Sequence, residues 1–173
     1  MILIALGANL PSQYGSPEDT LNAAMLALEK AGVNVLTRSS IWITEPVPAS
    51  DQPLYRNAVI AVRTMLKPIA LLNLLHEIEA DFGRVRHERN EARILDLDLL
   101  CYSDVIIRTN DVHIPHPRMH ERAFVMVPLK EVVPSTWVHP VLNKNPDKLL
   151  ALLSDQSFLN NSFHTKTIDL NYA

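Results

Sequence analysis

The chain alternates short apolar runs with longer amphipathic ones. "ILIAL", residues 2–6, is an apolar run that ends at Gly7 and leads into a loop through Pro11 and Pro17, so it reads as a first strand. Over "EDTLNAAMLALEKAG" the positions Leu21, Ala24, Met25 and Leu28 recur at i, i+3, i+4 and i+7. That spacing predicts a helix stopped at Gly32. "VNVLTRSSIWIT" is rich in β-branched residues and predicts one strand. "EPVPASDQP" has three prolines in nine residues and is a stiff loop. "YRNAVIAVRT" returns as a strand, and after Pro68 the stripe Leu71, Leu74, Leu75, Ile78 and Phe82 predicts the clearest helix, ended by Gly83.

"RVRHERNEAR" is polar and aperiodic, hence a loop. "RILDLDLLCY" and "VIIR" read as strands with a tight turn at "SD" between them. "ERAFVMVPL" starts a further helix, and "PDKLLALL" predicts a short one. The order β-α-β, β-α-β, then helices, with a strand–loop–strand hairpin in the middle, predicts an α+β fold. Its form is a ferredoxin-like sandwich, a largely antiparallel central sheet flanked by helices. A small doubly wound α/β fold is the alternative, weakened by the lack of a glycine-rich loop after the first strand. Residues 1–155 are expected to form a single domain, followed by a polar tail at 156–173 that is expected to pack loosely.

A length of 173 residues supports one hydrophobic core. The net charge of −3 supplies no global basic field, so no nucleic-acid partner is expected and any anion site must be local. No apolar run has the length to span a bilayer, and the N-terminus lacks signal-peptide features. With a single cysteine, Cys101, inside an apolar strand, a buried thiol and a cytoplasmic protein are expected, and the protein is also expected to be a monomer.

The strand "RILDLDLLCY" carries two aspartates among leucines. Alternation puts Asp96 and Asp98 on one face, within roughly 7 Å of each other, and Leu95, Leu97 and Leu99 on the other. Taken alone the pair admits two readings. The face is wet and the carboxylates are solvated, or a hard divalent cation such as Mg²⁺ neutralises them and accepts phosphate oxygens as further ligands. The loop just before adds Arg84, Arg86, Arg89 and Arg93 against two glutamates. Planar, permanently charged guanidinium groups beside paired carboxylates point to polyphosphate chemistry, with a salt-bridged surface loop as the plainer alternative. There is no GxxxxGK phosphate loop and no glycine-rich kinase loop. His113 and His116 stand in a proline-bearing loop, with Arg118 and Arg122 shortly after.

Five segments in order, "ALGANL", "DQPLYRNAV", "FGRVR", "RILDLDLL" and "IPHPRMHERAFVMVPL", resemble the 6-hydroxymethyl-7,8-dihydropterin pyrophosphokinases of folate biosynthesis, from residue 2 to about residue 140. The resemblance implies transfer of pyrophosphate from ATP to the pterin hydroxymethyl group, with AMP leaving. It implies two Mg²⁺ ions held by Asp96 and Asp98, and catalytic roles for Arg84, Arg86 and Arg93. It implies a pterin pocket lined by Thr44, Pro46 and Val47, a ring sandwiched by Tyr55 and Phe124, and Asn57 on the ring's polar edge. ATP contacts are implied at Glu79, Arg86, Arg89, Arg93, His116 and Arg122.

The sequence departs from the family pattern in the arginine loop. "RNEAR" replaces Arg-Trp-Gly-Pro-Arg, Asn90 stands where a tryptophan is common, and the segment is one residue shorter. His76 stands for a glutamine, and Asp111 and His113 for basic or hydroxyl residues. The departures motivate a second reading, a catalytically altered paralogue that binds pterin or nucleotide without transfer. An unrelated Mg²⁺-dependent phosphoryl or nucleotidyl transferase is a third, which the ring-sandwich residues oppose.

Overall fold

A computed structural model describes residues 1–83 and 92–153 and a short strand at 164–165. The central sheet runs in the order β5 (Asp96–Tyr102), β1 (Ile2–Ala8), β4 (Tyr55–Arg63), β3 (Trp42–Thr44), β8 (His164–Thr165), with β2 (Asn34–Arg38) also paired to β4. Every pairing among the described residues is antiparallel, so the fold is α+β and the doubly wound alternative is excluded.

Helix α1 (Pro17–Lys30) starts where Ser16 and Asp19 form a reciprocal capping box and Pro17 takes the first turn. It ends at Gly32, whose φ of +80° suits a residue without a Cβ. Helix α2 (Pro68–Asp81) buries Leu71, Leu75 and Ile78. Both helices pack on one sheet face, made by Ile4 and Leu6 of β1, Ile60 of β4 and Leu97 and Leu99 of β5. Each such side chain, fully buried, contributes about 1.5–3 kcal/mol relative to exposure. On the opposite face α3 (Ala123–Val132) and α4 (Pro146–Leu150) cover Leu3, Val59, Ala61, Leu100 and Cys101. Burial pushes the Cys101 thiol up to about 12, as expected of an inert buried cysteine.

Three elements differ from the pattern-based expectation. The strand over 33–44 is two strands, because Ser39 interrupts the ladder: its N–H donates to Val59 O and its own hydroxyl accepts from Val59 N, both at 2.9 Å. The segment after "SD" does not pair back onto β5. Instead β6 (Ile107–Arg108) pairs with β7 (His113–Ile114) in a separate two-stranded sheet. The outer edge of β5 is already occupied, since Leu97 N donates to Glu79 Oε1 at 2.7 Å and Leu100 O accepts from His116 N at 2.8 Å. The short helix after Pro134 stops at Leu150.

Glu79, only 2% exposed, therefore closes a sheet edge that the alternation pattern does not reveal. Glu79→Ala is expected to lower unfolding stability by about 1–3 kcal/mol, because the buried Leu97 N–H loses its acceptor. Denaturant titration checks this, and an unchanged midpoint would remove the edge-closing role.

His139 gives a second test. Its Nδ1 accepts from Val141 N and Leu142 N, both at 3.2 Å. Burial, with a smaller contribution from His120, lowers its pKa from 6.5 to about 4. Unfolded, the ring takes up a proton below about pH 6.5, while the folded ring refuses it until about pH 4. Its effect on stability is therefore absent above pH 6.5 and grows as a loss down to pH 4, with a slope approaching about 1.4 kcal/mol per pH unit. Subtracting the profile of His139→Gln from that of the wild type isolates this slope, and a flat difference would contradict it.

Candidate active site

The face of the sheet under α3 changes character along its length. On β1 the residues on this face are Leu3, then Ala5, then Gly7. Register sets Ala5 beside Asp98 and Val59, and Gly7 beside Asp96 and Asn57. The large apolar residues stop where α3 begins, and small residues on β1 leave a floor between the carboxylates of β5 and the polar Asn57 of β4. A Cβ on residue 7 would stand 3.2 Å from Asn57 Oδ1 and 3.9 Å from Asp96 Cβ, so glycine is what lets the two side chains share this row.

Over this floor opens a cleft of about 440 Å³. The loop after β3 supplies Pro46 and Val47 as one wall, and the first turn of α3, with Phe124, supplies another. Thr44 closes the end toward β3, where Asn57 Nδ2 donates to its Oγ1 at 2.7 Å, and Tyr55 lines the cleft close enough to Arg93 and Asp96 to interact with both. That bond fixes the amide and turns its carbonyl oxygen, an acceptor, toward Gly7. Tyr55 donates to Gln52 Oε1 at 3.3 Å, which anchors the end of the proline-rich loop to β4.

At the other end, Asp96 Oδ2 accepts from Arg93 Nη1 at 2.5 Å, and Asp98 Oδ2 lies 3.7 Å from Arg122 Nη1 and 4.0 Å from His116 Nε2. The carboxylate side chains are 21% and 35% exposed, open enough to meet a ligand. Burial opposes the charge on Arg93, but Asp96, Tyr55 and Asp98 outweigh it and raise the guanidinium pKa. Arg122 is lowered, by burial first, with Asp98 acting the other way. Burial and then Arg122 lower His116 to about 4, so it is neutral at pH 7. Its Nδ1 accepts from Arg118 N at 3.2 Å, which puts the ring proton on Nε2, the nitrogen facing Asp98.

The fold thus brings Thr44, Pro46, Val47, Tyr55, Asn57, Arg93, Asp96, Asp98, Arg122 and Phe124 to one cleft, with His116 at its rim. Glu79 is not among the lining residues, because its carboxylate is turned into the protein to hold Leu97 N. Arg84, Arg86 and Arg89 lie outside the described residues.

Two kinds of residue escaped the sequence reading. Glu45 and Glu121 line the cleft but belong to no periodic or paired pattern. Asn9 is 2% exposed and joins two loops: its Oδ1 accepts from Arg93 N at 2.6 Å and its Nδ2 donates to Pro53 O at 3.0 Å. Its signals in the sequence are its place just after an apolar strand and within the "ALGANL" segment.

Comparison with known proteins gives a consistent result. A family profile described as 7,8-dihydro-6-hydroxymethylpterin-pyrophosphokinase (HPPK) matches residues 3–134. The chain is 43% identical over 130 residues to the 2-amino-4-hydroxy-6-hydroxymethyldihydropteridine pyrophosphokinase of Haemophilus influenzae, covering 75% of this chain and 79% of that protein. It is 41% identical over 130 residues to the Bacillus subtilis protein of the same name, covering 75% of each. Among solved structures, wild-type HPPK-DHPS of Plasmodium falciparum with SDX-DHP superposes with a TM-score of 0.67 at 14% identity, over 87% of this chain and 43% of that one. That last likeness concerns the fold, and there this chain spans under half of the matched protein. With three quarters of its length matched by the profile and by close relatives, the chain belongs to the 7,8-dihydro-6-hydroxymethylpterin-pyrophosphokinase family.

Proposed function

We infer that this protein transfers the pyrophosphoryl group of ATP to the hydroxymethyl oxygen of 6-hydroxymethyl-7,8-dihydropterin and releases AMP, a step of folate biosynthesis. The observation that carries this reading is one sheet face. It holds a cleft with aromatic and amide walls beside a carboxylate pair in which Arg93 bonds Asp96 and Arg122 approaches Asp98.

In this reading Tyr55 and Phe124 clasp the flat pterin from its two faces. Asn57 Oδ1 and the backbone of the Pro46–Val47 segment pair with the ring's polar edge. An analogue lacking those groups would leave buried partners unmatched. Arg93 and Arg122 receive the phosphates, and the first turn of α3 adds backbone N–H groups that no side chain caps. The neutral His116 ring donates from Nε2 to a phosphate oxygen or to Asp98. The pterin hydroxyl oxygen attacks the β-phosphorus in line, the bond from that phosphorus to the α,β-bridging oxygen breaks, AMP leaves and the hydroxyl proton is released. Arg84, Arg86 and Arg89 complete the phosphate grip in this reading, and Glu79 supports the site from behind by holding β5.

The cleft also fits a hard divalent cation. Among the described residues Arg93, Arg118 and Arg122 line it beside Glu45, Asp96, Asp98 and Glu121, so phosphates brought up to the Asp96–Asp98 pair call for a cation between the two sets of oxygens. Asp96 and Asp98 offer only oxygen donors, and among the described residues no third histidine, thiol or carboxylate joins them as a ligand set. Such a pair suits Mg²⁺, which keeps waters and takes phosphate oxygens. We assign two Mg²⁺ to this pair; when bound they supply charge neutralisation of the phosphates and align the reacting oxygens. No helix among the described residues is long and apolar enough to cross a membrane. A cytoplasmic monomer, working without a nucleic-acid or membrane partner, completes the reading.

Asp96→Ala and Asp98→Ala are each expected to cut pterin-dependent AMP release by about 10²-fold or more while leaving pterin affinity nearly unchanged. Near-normal turnover in both variants would defeat the assignment. Arg93→Ala is expected to lower kcat by about 10²-fold, with a smaller change in KM for ATP, because its grip tightens as charge develops on the transferred group. A loss confined to KM would make Arg93 a ground-state binding residue only.

A further inference from the structure

We propose that Glu131, a residue of α3 outside the cleft, is a positioning residue that sets the width of the ring slot and thereby the affinity for the pterin. This rests on the ring-slot reading above. Glu131 stands seven residues after Phe124, two helical turns on, so the two side chains project from the same side of α3. The Glu131 carboxylate reaches across to the neighbouring strand: Oε2 accepts from Ser40 N and Oε1 from Trp42 Nε1, both at 2.7 Å.

The place of that contact gives it consequence. Ser40 lies in the break between β2 and β3, where Ser39 replaces a ladder partner with its own hydroxyl. The strand is therefore free to bend there, and Glu131 fixes where it goes. Trp42 pairs in register with Asn57, and Thr44, two residues on and on the same side of β3, receives the Asn57 amide. A rigid line thus runs from Glu131 through Trp42 to the Asn57–Thr44 pair, while Phe124 is carried by the same helix as Glu131. The carboxylate holds the two walls of the slot at one separation. Both of its oxygens are engaged, and charge-assisted bonds of this length are the stronger kind. A glutamine at 131 could accept through only one oxygen, so it should keep part of the effect.

The test measures ligand affinity in the full chain. Fluorescence titration with 6-hydroxymethylpterin and calorimetric titration with a non-hydrolysable ATP analogue plus Mg²⁺ are run on wild type, Glu131→Ala, Glu131→Gln and Trp42→Phe, alongside thermal unfolding. Glu131→Ala is expected to weaken pterin binding about tenfold while nucleotide affinity stays within about twofold. Glu131→Gln and Trp42→Phe should fall between it and wild type. A purely structural tether would lower Tm and leave both affinities of the folded protein unchanged, and that result would overturn the proposal, as would equal weakening of both ligands. If Glu131→Ala does not fold, Trp42→Phe carries the test, since it removes one indole N–H and nothing else polar. Wild-type protein that fails to bind the pterin at all would overturn the ring-slot reading and this inference together. Normal wild-type binding with unaffected variants would overturn the inference alone.

Discussion

Asp96 and Asp98 project from the sheet face that, two residues further along β5, carries the fully buried Leu100. Two carboxylates at the margin of an apolar core repel each other and lose solvation, and neither cost is tolerable without cationic partners. Arg93 pairs with Asp96 and Arg122 stands near Asp98, and both come from outside β5, one from the segment that precedes it and one from the entry to α3. The rest of the site follows from that demand. α3 has to begin here so that Arg122 and its uncapped first turn face the acids, and where α3 begins Phe124 necessarily overhangs the floor made by Ala5 and Gly7.

In the proposed function the same arrangement separates affinity from reactivity. The ring slot is built from β3, β4 and α3, elements locked by Asn57 to Thr44 and by Glu131 to Trp42 and Ser40. The phosphate end hangs from Arg93, whose backbone N–H is held by Asn9, and Asn9 in turn holds Pro53 at the end of the proline-rich loop. One buried asparagine thus ties Arg93 to the end of the proline-rich loop.

Much of this was legible in the sequence because it depends on period. The alternation in "LDLDL" announced both the core face and the acid face, and the helix stripes from Leu21 and Leu71 placed the layer beneath. Residues whose role depends on a long-range partner were not legible. Glu79 is a helix residue by any local rule, and only the tertiary fold turns its carboxylate to Leu97 N. The break at Ser39 was invisible because a serine in a β-rich run carries no mark of the hydroxyl that will stand in for a ladder bond. The expected pairing of residues 105–108 with β5 failed for the same reason, since the edge it needed was occupied by groups from α2 and from His116. Tyr55 and Phe124, proposed here to hold the pterin, would pass for core aromatics on pattern alone, and family resemblance rather than period singled them out.

The most direct test is to mix the purified protein with ATP, Mg²⁺ and 6-hydroxymethyl-7,8-dihydropterin and follow the phosphorus NMR spectrum. The account predicts that AMP and a pterin diphosphate ester grow together, at equal rates, and only when the pterin is present. AMP with free pyrophosphate, ADP with a pterin monophosphate, or no AMP where another family member turns over would contradict it.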